Sequence, residues 1–243
     1  MITILRKGTK MNICFGGMQK LSLLDFPGGK VCSVLFTSGC NMRCPFCHNF
    51  ELVQDKTITI DYDEVVSYLI KRKNMIDGIT ISGGEPTIYK DLPDFIKYIK
   101  DRTDLEIKLD TNGTNPNMIK KLIQEKYVDY IAMDIKNDFS NYSKITGIEN
   151  FDVSAVKESI KIIEKDMNEY EFRTTIMKSY HDIQNIEKIV SSIDKNSNYY
   201  MQQYVMSENV PDKNIIGYTD DELKEMYKEI NSNHPNVHLR GIK

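Results

Sequence analysis

Thr37-Ser38-Gly39-Cys40-Asn41-Met42-Arg43-Cys44-Pro45-Phe46-Cys47-His48-Asn49 puts three of the chain's five cysteines within eight residues, at a C-x3-C-x2-C spacing. The segment ends an apolar run over residues 31–37, so the triplet belongs to the loop after a strand, the active end of a parallel α/β barrel. Cysteine thiolates are the usual ligands of iron–sulfur clusters, and four of them fill the coordination of a cubane. Three leave one iron open, and an open iron can take a substrate, much as catalytic zinc keeps one position free of protein ligands. A structural zinc site would need a fourth ligand such as His48. That residue directly follows Cys47, and adjacent residues rarely close one tetrahedron. The spacing therefore predicts a cluster on Cys40, Cys44 and Cys47, with a non-enzymatic metal-binding interaction module as the competing reading.

Composition narrows the function classes. A net charge of −3, with 32 Lys and Arg against 35 Asp and Glu, gives no chain-wide attraction to nucleic acid. The run Lys71-Arg72-Lys73 reads as a solvated helix end. No stretch has the apolar length of a membrane span, and Arg6, Lys7 and Lys10 are followed by no apolar signal core. The expectation is a cytoplasmic protein with neither a membrane nor a nucleic-acid partner. Three ligand-type cysteines among five make no disulfide framework, and Cys14 and Cys32 are expected to be buried structural thiols. Length allows one large domain, residues 16–243, behind an N-terminal extension, residues 1–15.

From residue 31 onward, β-rich runs alternate with segments of helical period, which implies repeated βα units around a parallel sheet. The expected strands are residues 31–37, 78–82, 106–111, 130–135, 171–176 and 199–205, with 237–241 as a last short strand. Helices are expected from Asp61, whose carboxylate can cap free amides while Glu64 reaches back in a capping box, over 92–102, 116–126, 154–166 and 182–193, and over 219–231 behind a second capping box of Thr219 with Glu222. Six principal units are fewer than the eight of a closed barrel. The expected fold is thus α/β, a partial, open, parallel TIM-like barrel.

The cysteine spacing, Phe46 before the third cysteine, and Ser82-Gly83-Gly84-Glu85-Pro86 resemble radical S-adenosylmethionine enzymes. Within that superfamily, Gly17-Met18-Gln19-Lys20, Leu24-Asp25-Phe26-Pro27-Gly28 and Cys47-His48-Asn49 resemble the activating proteins of anaerobic ribonucleoside-triphosphate reductases, although Phe50 stands where those commonly have proline. The resemblance implies a 4Fe-4S cluster with S-adenosylmethionine at its open iron, reductive cleavage to methionine and a 5′-deoxyadenosyl radical, and hydrogen abstraction from a glycine of a partner glycyl radical enzyme. No cysteine follows Cys47, so the electron would come from an external donor such as flavodoxin or ferredoxin. A radical enzyme acting on a small molecule or a peptide is the alternative, because fold and cofactor do not decide the substrate.

The same resemblance distributes cofactor roles. Gly83, Gly84 and Glu85 would hold the methionine amino group; glycine permits close approach, and a carboxylate accepts from an ammonium. Asp110 and Asn112 in Asp110-Thr111-Asn112-Gly113, with Asp134 and Lys136 in Met133-Asp134-Ile135-Lys136, match motifs of glycyl-radical-enzyme activases. Asp110 and Asp134 would bind a monovalent cation, and Lys136 the methionine carboxylate. Two carboxylates at neighbouring strand ends need positive charge nearby; a plain ion pair with Lys136 is the simpler alternative. Arg173 alternates with apolar neighbours and, if interior, needs an anion: the cofactor carboxylate or the ribose end. Gln202 is favoured over Gln203 for the pocket, since only one of two successive strand residues faces inward. Asn49 and Phe46 would lie near the adenine, with a core role open for Phe46.

Overall fold

A computed structural model of the chain describes residues 11–54 and 59–242. The alternation of apolar and polar residues along the strands is what shapes it. In β4 (Glu106–Thr111), Ile107 and Leu109 are buried in the hydrophobic core, while Lys108 and Asp110 take the opposite face. The same phase holds in β5 (Tyr130–Asp134), with Ile131 and Met133 in the core, and in β6 (Tyr170–Ile176), with Phe172 there. The apolar face of these strands packs against amphipathic helices, and the charged face lines the barrel interior.

Among the described residues eight strands form one sheet in sequence order. β2 (Cys32–Thr37), β3 (Gly78–Gly83), β4, β5, β6, β7 (Tyr199–Gln203) and β8 (Val237–Arg240) pair in parallel. The last short strand is present, so seven parallel strands stand where six principal ones are expected. The sequence pattern misses β1 (Phe15–Ser22), which pairs antiparallel with β2 through two register shifts. Its exposed Lys20 and Leu21 and half-buried glycines give no clean alternation. β1 and β8 are the two edges of an open, mostly parallel sheet, a partial barrel. Residues 1–10 of the expected extension lie outside the described residues.

Helix starts follow the predicted chemistry, except that among the described residues no bond returns from the Glu64 side chain to complete the box at Asp61. Asp61 caps α2 (Tyr62–Arg72), its side chain accepting from the amides of Asp63 and Glu64. The short α1 (Phe50–Val53) precedes it. α3 (Leu92–Lys100) and α4 (Pro116–Gln124) carry proline in their first turns, where its missing N–H costs nothing. A five-residue α5 (Tyr142–Thr146) after β5 is an addition to the expected pattern. α6 (Ser154–Asp166) matches it, and α7 (Ile183–Val190) and α8 (Asp220–Asn233) open with full capping boxes on Asp182 and Thr219. Lys71 and Arg72 form the exposed last turn of α2, as expected.

Phe172 is fully buried where β6 meets the helical layer. Phe172→Ala should lower stability by about 3–5 kcal/mol, read as a lower urea midpoint at an unchanged slope.

Candidate active site

The cysteine loop leaves the C-terminal end of β2 and is fastened on both sides. Gly39 N–H donates to Leu52 O (2.7 Å), Arg43 N–H to Thr146 O (2.8 Å) and Glu85 N–H to Gly39 O (2.9 Å). Met42 and Phe46 are buried and join the main hydrophobic core. Two glycines at the end of β3 make this contact sterically possible. A Cβ on Gly84 would lie 1.8 Å from Gly39 O, and one on Gly83, at φ +113°, 2.3 Å from Thr37 N. The Gly-Gly pair therefore first lets one backbone lie on another, whatever ligand it also meets.

Cys40, Cys44 and Cys47 all face one pocket, together with every other residue expected in the site from Phe46 to Gln202. Cys44 is buried and the other two are half-buried. Burial pushes the Cys40 thiol up to about 11 and Cys44 up to about 12, and raises Cys47; Lys136 pulls each of them the other way. Thiols this reluctant to ionise on their own become ligands when a metal displaces the proton.

Opposite the thiols stands a chain of charges at the ends of three neighbouring strands. Arg173 Nε lies 2.6 Å from Asp134 Oδ1, and its Nη2 lies 3.2 Å from Asp110 Oδ2. Lys136 Nζ donates to Asp134 at 2.8 Å, Lys108 bonds Asp110, and Ser82 Oγ donates to Asp110 at 3.0 Å. Below them Arg240 holds Glu171 in two bonds of 2.7 and 2.8 Å, joined by Tyr130 OH at 3.0 Å. Burial alone would raise both aspartates, but Arg173, backed by Lys108 for Asp110 and by Lys136 for Asp134, holds them below the ordinary carboxylate range. Lys136 is also braced through its backbone. Its N–H donates to Tyr142 OH (3.0 Å), and its carbonyl pairs with His181 Nε2 (2.9 Å). Since His181 Nδ1 accepts from Met177 N–H (3.2 Å), the ring is the Nε2–H tautomer, and burial lowers its pKa.

Several expectations change. Glu85 is 1% exposed, and its carboxylate accepts from Thr87 N–H (3.0 Å), the Thr87 hydroxyl, Thr111 Oγ1 (2.8 Å) and Asn112 N–H (2.7 Å). Both oxygens are engaged by the protein, so Glu85 braces the β3 and β4 loops while it lines the pocket. With burial dominant and no cation among those partners, its pKa is raised. Arg173, expected to meet a ligand anion, reaches Asp110 and Asp134 instead, and Lys136 makes with Asp134 the ion pair that is the simpler alternative in the sequence reading. Cys14 is exposed and Cys32 buried, so only Cys32 fits the expected buried thiol.

Other placements agree with the strand alternation. Gln202 lines the pocket while Gln203 turns outward to Asp220 (2.7 Å). Asn49 Nδ2 donates to Gly83 O (3.4 Å), Asn112 Nδ2 to Asn41 Oδ1 (3.0 Å), and Phe46 is at once a core residue and a pocket wall, 5.8 Å from Lys136 Nζ. His48 pairs with Val205 O at 2.6 Å. Ser82, Thr111 and Thr175 also line the pocket. The two-residue period from Asp110 and Arg173 could have found Lys108 and Thr175; no comparable signal marks His181 or Tyr142.

Residues 34–193 match the Radical SAM superfamily over well over half of the chain. The chain belongs to the Radical SAM superfamily. A Methanocaldococcus jannaschii protein with a proposed role as a glycyl-radical enzyme activating enzyme is 32% identical over 241 residues, covering 96% of this chain and 98% of its own. The pyruvate formate-lyase-activating enzyme of Clostridium pasteurianum is 30% identical over 139 residues, 54% of this chain and 56% of that one. The crystal structure of Streptococcus suis SuiB bound to precursor peptide SuiA is similar in fold, with a TM-score of 0.68 at 16% identity over 86% of this chain and 48% of SuiB. As a Radical SAM member, the chain is an enzyme, and its partial barrel is the fold shared with such neighbours.

The charges of this Radical SAM pocket give opposite pH signatures. Asp134 is depressed in the fold, so its contribution is present above the ordinary aspartate value of about 4 and is lost as pH falls through the lower folded value. Asp134→Asn should be less stable at neutral pH yet lose less on acidification. Glu85 is raised, so its contribution is present below the ordinary glutamate value and lost as pH rises through the folded one. Glu85→Gln should therefore gain on the unmodified protein as pH rises above about 4. Urea titrations measure the first below about pH 4 and the second above it.

Proposed function

We propose that this enzyme is an activase that generates a glycyl radical on a partner protein, an anaerobic ribonucleoside-triphosphate reductase, using a 4Fe-4S cluster and S-adenosylmethionine. The observation that carries the reading is the meeting of three thiols with a charged, braced set of strand-end residues in one pocket. The donor set suits the cluster: three cysteines on a loop held by backbone contacts, beside a cationic Lys136 that opposes the charge of thiolate ligands. When bound, the reduced cluster supplies the electron that cleaves S-adenosylmethionine into methionine and a 5′-deoxyadenosyl radical.

The chain's own part is to bind, orient and shield. Cys40, Cys44 and Cys47 would hold the cluster. Lys136 and Arg173, with one positive charge more between them and Lys108 than Asp110 and Asp134 neutralise, favour a ligand carboxylate. Phe46 offers an apolar wall, and Asn49 and Gln202 offer amides to the adenosyl end. The full-length similarity to the Methanocaldococcus jannaschii protein supports a glycyl radical partner. So does the rim: His48 ties the cysteine loop to Val205, and Val205 and Met206 are exposed apolar residues (63% and 41%), the kind of surface that a protein partner covers. With no cysteine after Cys47, flavodoxin or ferredoxin would supply the electron. A reducing cytoplasm would keep the three thiols available.

Anaerobic reconstitution should give a brown protein with about four irons per chain, and Cys44→Ala should lose that cluster while Cys14→Ala keeps it. With S-adenosylmethionine, a reductant and the anaerobic reductase of the same genome, a glycyl radical should appear by electron paramagnetic resonance. An intact cluster in Cys44→Ala would overturn the ligand assignment. No radical on the reductase, with stoichiometric deoxyadenosine formed on a small metabolite or peptide, would move the substrate to that class.

A further inference from the structure

Paired carboxylates at the ends of β4 and β5 create a demand for positive charge, and an exchangeable monovalent cation between Asp110 and Asp134 is one way to meet it. The structure meets it with the chain itself. The guanidinium of Arg173 reaches both carboxylates, at 2.6 Å on Asp134 and 3.2 Å on Asp110. Its reach to Asp110 spans two strands. Asp110 pairs in register with Ala132, and Asp134 with Arg173. Ala132 shares the inward phase of Asp134, and its single methyl leaves room for the arginine to cross β5.

Glu171, two residues before Arg173 on the same face, would compete for this guanidinium. Arg240 occupies Glu171 with two bonds, leaving it 3.9 Å from Arg173 Nη1. Each aspartate also has its own lysine, Lys108 for Asp110 and Lys136 for Asp134. Three protein cations thus face two carboxylates, and a further small cation would enter a cluster that already carries excess positive charge. Arginine suits the place because its planar fork can serve two acceptors at once and its charge is permanent.

We propose that Arg173 is the resident counter-ion of the Asp110–Asp134 pair, so that this enzyme, unlike what the resemblance to other activases implies, binds no exchangeable monovalent cation there. Arg173 acts as a positioning residue toward the two carboxylates. The assignment rests on the Proposed function only for the cofactor readout below.

The first test needs no cofactor. Sodium-23 line broadening is measured on the full chain, on the double variant Asp110→Asn/Asp134→Asn, and on Arg173→Ala. The unmodified protein should broaden the signal no more than the double variant does. Arg173→Ala should broaden it further, and adding Asp134→Asn should cancel the gain. Broadening by the unmodified protein that the double variant abolishes would overturn the proposal, even if Arg173→Ala fails to fold. The second test titrates S-adenosylmethionine into reconstituted enzyme in potassium, sodium and tetramethylammonium salts. At fixed ionic strength, where screening is equal, affinities should agree within about twofold; loss of affinity confined to tetramethylammonium would overturn the proposal. Absence of cofactor binding in every salt would instead count against the proposed function, with the sodium measurement still deciding the role of Arg173.

Discussion

A barrel with charged residues on its inward face is stable only when those charges neutralise one another inside it, because a buried unpaired charge costs several kcal/mol. Here the neutralisation runs through Arg173. It joins Asp110 on β4 to Asp134 on β5, and Glu171 beneath it is held by Arg240 on β8. The last strand of the sheet thus reaches a partner two strands away, across β7. This arrangement has the geometry expected of a buried network in which removing one member strands its neighbours.

The cysteine loop depends on a different constraint, the absence of side chains. Gly84 lies so close to Gly39 O that no other residue fits, and this contact registers the loop against the end of β3. Glu85 then continues the connection, since its carboxylate gathers Thr87, Thr111 and Asn112. Asn112 in turn reaches Asn41 in the cysteine loop. The glycine pair and the glutamate therefore form one mechanical unit joining β2, β3 and β4. On the other side of the pocket, Tyr142 and His181 hold the Lys136 backbone at both of its polar groups. An ammonium facing three thiols needs a rigid base, because its electrostatic effect falls with distance and with solvent access.

Much of this was legible in the sequence where chemistry and period coincide. The C-x3-C-x2-C spacing, the glycines after an apolar run, and the two-residue alternation of Asp110, Asp134, Arg173 and Gln202 place those residues in one pocket, as found. What alternation cannot tell is which inward charges will pair, because pairing depends on register between strands. Arg173 reaches Asp110 because Ala132 stands between them in the sheet, a fact held by no single segment. The bracing role of Glu85 is hidden for a related reason, since its hydroxyl and amide partners come from loops after two strands. β1 escaped notice because it pairs antiparallel through two irregular steps and shows much of its length to solvent. Cys14 precedes that strand and shares its exposure rather than entering the core.

The edge position of β1 has a mechanical consequence. A strand running opposite to its neighbour ends at the bottom of the barrel just where β2 begins, as the pairing of Ser22 with Cys32 shows. The segment after it then turns inward: Asp25 O accepts from Thr80 Oγ1 at 2.8 Å, and Phe26 is buried against Cys32 and Val34. That segment places apolar surface at the bottom of the barrel, beneath the charged layer. At the top, the thiols, the aspartate pair and the His48-anchored segment around Val205 share one entrance. A ligand bound there meets both the cysteine loop and the charge chain, and a partner lying on Val205 and Met206 would cover that same entrance. Placing the apolar packing below and the charged face above keeps the pocket groups partly shielded while leaving their entrance at one end of the domain.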